Sequence, residues 1–72
     1  MLVRRQAIDS TSIASVGYDA GSSTLEVEFR NGHVYQYLEV AKRLYWELMS
    51  AQSVGAYLNR EIRDQHEFRR VR

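Results

Sequence analysis

The chain has 72 residues, 44% of them hydrophobic and 26% charged, with no cysteine and no proline. That composition excludes a disordered tail, a disulfide scaffold and a thiolate metal centre, and the length holds one domain with a thin core. The net charge of +1 is unevenly spread: Arg4 and Arg5 stand without an acid in residues 1–8, six acids face three bases in 9–58, and five arginines face three acids in 59–72. Both ends are therefore basic and the middle acidic, a layout that attracts phosphates locally despite a near-zero total. Nine of the ten basic residues are arginine, the side chain suited to bidentate phosphate contacts.

No apolar run approaches the roughly 18 residues of a membrane span. No apolar stretch of a secretory leader follows Arg4 and Arg5. The expectation is a cytoplasmic protein without membrane contact. It reads as a single domain over 1–72, with an ordered core of about residues 11–63 and flexible ends.

Thr11 to Asp19 predicts a first strand, with Ala14, Val16 and Tyr18 on one face at period two. Ala20-Gly21-Ser22-Ser23 is a turn cluster in which Gly21 tolerates positive φ. Thr24 to Arg30 alternates Leu25, Val27 and Phe29 against Glu26, Glu28 and Arg30, a strand dry on one face and wet on the other. Asn31-Gly32 then signals a hairpin, with His33 to Leu38 as the return strand.

The hairpin register decides where Tyr35 and Tyr37 point. A two-residue loop would pair Phe29 with Val34 and set both tyrosines on the wet face. A three-residue loop with Gly32 at the left-handed position would pair Phe29 with His33 and set them beside Val27 and Leu25 on the core face. The second register is preferred, because it buries two large rings in a core that needs area.

From Val40 the period becomes helical: Val40, Leu44, Tyr45, Leu48 and Ala51 form one stripe, with Trp46 and Met49 beside it. Ser53 is an N-cap for a second helix carrying Val54, Tyr57, Leu58 and Ile62 on one face, and Gly55 in its first turn allows close contact with the preceding helix. An arginine-rich tail follows. The predicted fold is α+β: a three-stranded antiparallel β-meander followed by two short helices packed on one face, in the order β-β-β-α-α.

An ordered set of short segments now resembles a known family. Ser12-Ile13-Ala14, Gly17-Tyr18-Asp19, Leu25-Glu26-Val27-Glu28-Phe29, the central Tyr35-Gln36-Tyr37, and Ser53-Val54-Gly55 with Tyr57 and Asn59 are similar to the KTSC domain. That domain occurs at the C-terminus of some lysyl-tRNA synthetases and as stand-alone bacterial proteins. The resemblance spans Ser12 to Val71, with one departure: Ala41 stands where the family commonly has proline. It implies RNA or DNA binding and supplies no catalytic residues.

The residues themselves point away from an enzyme. His33 and His66 have no thiol beside them, no serine sits in a nucleophile elbow, and no glycine-rich phosphate loop is present. Glu26 and Glu28 share a strand face as a solvated pair. No metal site, cofactor or small-molecule substrate is expected. Nucleic-acid binding is the leading reading, with phosphate contacts from Arg60, Arg63, Arg69 and Arg70 and stacking from Tyr35 or Tyr37. Arg60 and Arg63, three apart, are expected to face one way. The alternative is a protein-interaction or homodimerisation module using Trp46, Met49 and an exposed strand edge.

Overall fold

The computed structural model describes residues 3–72. Five antiparallel strands lie in chain order across one sheet: β1 (Arg5–Ala7), β2 (Ile13–Asp19), β3 (Thr24–Phe29), β4 (Val34–Tyr37) and β5 (Phe68–Arg70). Between β4 and β5 the chain forms helix α1 (Lys42–Ser50) and helix α2 (Val54–Tyr57), and α2 runs directly into a π-helical segment, Leu58–Arg63. The expected α+β class with an antiparallel sheet and two helices is correct, but the sheet has five strands and not three. The two additional strands are short, charged segments from the two ends of the chain. Edge strands of that kind resist pairing with other chains, and for the same reason they lack the apolar alternation that marks a strand in sequence.

The hairpin adopts the three-residue loop. The Phe29 amide donates to the His33 carbonyl and the Gly32 amide to the Phe29 carbonyl, both at 2.9 Å, and Gly32 has φ +92°. Leu25 then faces Tyr37 and Val27 faces Tyr35, so both tyrosines share the core face. In the preceding turn the positive φ falls on Ser23 (55°) and not on Gly21. A bulge between Ile13 and Ser15 changes the phase of β2 and places buried Ile13, not Ala14, in the core with Val16.

Ile13, Val16, Leu25, Val27 and Tyr37 on the sheet pack against Val40, Leu48, Tyr57, Leu58 and Ile62. Each fully buried aliphatic side chain contributes about 1.5–3 kcal/mol. Val40 belongs to this core but precedes α1, its amide bonding the Ser23 carbonyl at 2.8 Å. Tyr18 stacks on Tyr45 with ring centroids 5.1 Å apart and donates its hydroxyl to the Val40 carbonyl at 2.6 Å, joining β2 to the start of α1. Ser53 caps α2, accepting from the Ala56 amide at 3.2 Å. The tight contact at Gly55 is with Ser12: a Cβ there would lie 2.8 Å from the Ser12 hydroxyl, so the loop before β2, and not α1, presses on this turn.

Candidate functional site

The two faces of the sheet carry opposite chemistry. On the face away from the helices, charges of both signs cancel in one network across the strands. Arg5 donates to Glu26 and, through Nε at 2.9 Å, to the Ser15 hydroxyl, which donates to Glu28 at 2.8 Å. Gln36 donates to Glu26 at 2.8 Å and accepts from Arg69 Nε at 2.9 Å, while Arg72 pairs with Glu28 at 2.8 Å. The Ser15 hydrogen bond, with Arg5 and Arg72 nearby, holds the Glu28 carboxyl below the usual carboxylate range. Glu26 and Gln36 are only 2% and 3% exposed, so the face expected to be wet is covered at its centre.

On the helix side a cleft of about 400 Å³ opens between the β3–β4 turn and the π-helical segment. Buried Ile13, Tyr37 and Leu58 form its floor, and Phe29 and half-buried Tyr35 stand along it. Arg30 and His33 come from the turn side, Asn59 and Arg63 from the π-helical side, and none of the lining residues is an acid. The Arg30 guanidinium donates to the Ser10 and Ile8 carbonyls, at 3.1 and 2.9 Å, and that of Arg63 to Asn59 Oδ1 at 3.1 Å. Neither forms an ion pair with a carboxylate among the described residues. Two guanidinium groups without a close carboxylate partner among the described residues therefore flank an aromatic, acid-free hollow, surroundings that suit an anionic, partly aromatic ligand.

The residues singled out in the sequence are divided among several places. Tyr35 and Arg63 line the cleft, and Arg70 lies opposite Tyr35 on the neighbouring strand. Tyr37, 1% exposed, is a core residue; burial raises its phenol pKa, and the nearby charge of Arg63 opposes that rise. Arg69 lies on the other face, bound to Gln36. Arg60 is also elsewhere: it pairs with Glu61 at 2.9 Å and sits 5.6 Å over the Tyr57 ring. The expected common face of Arg60 and Arg63 is lost because a π-helical turn, closed by i→i+5 bonds, is wider than the α-helical turn that sets residues three apart side by side. Trp46 is 59% exposed beside Tyr45, whereas Met49 packs partly against the core.

Sequence reasoning missed Arg30, Asn31, His33 and Asn59 as cleft residues. Alternation assigns Arg30 to the wet face, and its charge does help lower the Glu28 carboxyl there; lying past the last residue of β3, it also borders the cleft. Asn59 was marked only by the family resemblance.

Residues 9–68 match the family model described as KTSC domain. A chain from Stutzerimonas stutzeri, described only as an uncharacterized protein, is 38% identical over 64 residues, covering 89% of this chain and 90% of that one. A protein from Tsukamurella paurometabola is 33% identical over 54 residues, covering 75% and 81%. The crystal structure of a KTSC domain protein from Yersinia pestis superposes with a TM-score of 0.93 at 36% identity, covering 99% of this chain and all of that one.

Proposed function

The chain belongs to the KTSC domain family, and from that premise we propose that it is a non-catalytic, cytoplasmic nucleic-acid-binding accessory domain gripping a single strand at the helix-side cleft. The observation that carries this reading is the pair Arg30 and Arg63, two guanidinium groups without carboxylate partners on either side of a cleft that also holds Tyr35. Guanidinium groups supply salt-dependent phosphate attraction, and an aromatic ring supplies sequence-tolerant stacking. Arg70, beside Tyr35 on β5, extends the basic rim.

The test is titration of labelled single- and double-stranded RNA and DNA, begun at low salt and repeated as salt rises. Neutralising two or three phosphates of a single strand gives a log–log salt slope of about −1.4 to −2.1. Arg30→Ala with Arg63→Ala should abolish most of that slope. Absence of binding to every nucleic acid at low salt overturns the reading.

A second reading, a homodimerisation or protein-interaction surface, is favoured by the 59% exposure of Trp46 next to the Tyr45 ring. It requires a concentration-dependent mass in light scattering that Trp46→Ala removes. A monomer at all concentrations, with unshifted Trp46 emission on adding candidate partners, dismisses it.

A further inference from the structure

Resting on the nucleic-acid reading, we infer that the cleft is a subsite for one unstacked nucleobase and that it selects the keto bases guanine and uracil, with a carbonyl at purine C6 or pyrimidine C4, over the amino bases adenine and cytosine, with an amine there. At about 400 Å³ the cleft lies near the lower end of small-ligand sites, which suits one nucleotide unit and not a stacked run. Its buried floor of Ile13, Tyr37 and Leu58 accepts a flat apolar face, and Phe29 and Tyr35 offer rings beside it. The sugar–phosphate is held at the mouth by Arg30 and Arg63.

The selectivity follows from which polar atoms remain unused. Asn59 Oδ1 accepts from Arg63 Nη1 at 3.1 Å, and Asn31 Oδ1 accepts from the His33 backbone amide at 3.0 Å. The NH2 end of each carboxamide is unengaged among the described residues, so both side chains meet a ligand as donors. With Arg30 and Arg63, the polar groups that the two walls present are weighted toward donors, and no carboxylate lines the cleft. At the position that separates the two classes guanine offers O6 and uracil O4 as acceptors, whereas adenine and cytosine set the exocyclic amines N6 and N4 where a donor already stands.

The experiment is an NMR titration of the labelled full chain with GMP, UMP, AMP and CMP, and with short oligomers of uridine and of adenosine. The expected result is shifts concentrated at Arg30, Tyr35, Asn59 and Arg63, with GMP and UMP at least about tenfold tighter than AMP and CMP. Asn59→Asp replaces the donor by an acceptor on an exposed residue and should reverse the preference toward AMP and CMP. Asn59→Ala should flatten it and leave the salt slope unchanged. Equal affinity for all four bases, indifferent to Asn59→Asp, overturns the inference. Oligomer binding with shifts away from the cleft also overturns it, and leaves nucleic-acid binding standing but moves its site off the cleft. If no oligomer binds at low salt, both fall. If mononucleotides bind as tightly as oligomers, the cleft inference holds and the ligand is a free nucleotide, which sinks the single-strand reading alone.

Discussion

The Tyr57 hydroxyl donates to Glu47 Oε1 at 2.6 Å and so joins the second helix to the first. Burial, reinforced by this bond to Glu47, pushes the Tyr57 pKa up to about 12. The same bond, helped by Arg43, holds Glu47 below its ordinary value of 4.5. The raised tyrosine contributes stability that is complete below pH 10 and is lost as pH climbs toward about 12. The lowered carboxylate contributes stability present above pH 4.5 and lost as pH falls below it. Tyr57→Phe should therefore destabilise the domain at neutral pH, with a smaller gap from wild type in acid. Urea unfolding at pH 7 and pH 3 measures both gaps; equal gaps would show that the bond contributes nothing through ionised Glu47.

Phe68, though 54% exposed, is the residue that fastens β5. Its ring stacks on Tyr35 with centroids 5.4 Å apart and planes 18° from parallel, and it also touches Tyr37 at 5.9 Å. Such a stack is worth about 0.5–1.5 kcal/mol beyond its buried area. Phe68→Ala should release β5 locally. The Val71 and Leu38 amides, which donate to the Val34 and Glu67 carbonyls at 2.8 Å, would then lose hydrogen-exchange protection while β2 and β3 amides keep theirs. Uniform loss across the sheet would mean that the edge and the core open together.

Glu26 shows how the sheet keeps a carboxylate at its centre. It accepts from Arg5 and from Gln36, and removal of the acid leaves Arg5 Nη1 and the Gln36 amide nitrogen without these acceptors on a covered face, although Arg5 keeps its bond to Ser15. Glu26→Ala should cost about 3 kcal/mol. Glu26→Gln keeps an acceptor for Arg5 and should cost clearly less. Chemical denaturation of the two variants gives the ordering, and equal losses would show that shape, not hydrogen bonding, matters at this site.

Much of this fold was legible because local signals agreed with one another. The Asn31-Gly32 turn allowed few loops, the need to bury Tyr35 and Tyr37 chose among them, and Ser53 marked its helix start through ordinary capping chemistry. β1 and β5 were illegible because three residues are too few to show a period, and charged edges are built to lack one. Arg60 and Arg63 misled because an apolar stripe reads the same through a π-helical segment as through an α-helix. The cleft was hidden for another reason. Its two guanidinium groups come from Arg30 and Arg63, which only the hairpin register and the helix docking bring to one opening.

Ala41, where the family commonly has proline, is the cap of α1 and makes no side-chain capping bond. Its φ of −63° matches the angle a pyrrolidine ring imposes, and its amide donates no backbone hydrogen bond among the described residues. Proline there would neither strain the folded chain nor remove a bond, while it would restrict the unfolded chain. Ala41→Pro should therefore stabilise the domain by about 0.4–1 kcal/mol. In a domain of this size that raises Tm by roughly 2–8 °C, readable by thermal unfolding. The condition is Val40, because a residue before proline must stay extended. Val40 lies outside the helix and its amide bonds Ser23, so it is held by the core and not by α1. A fall in Tm would locate the conflict at Val40, and loss of the Tyr18–Val40 hydrogen bond, seen as altered Tyr18 ring shifts, would identify it.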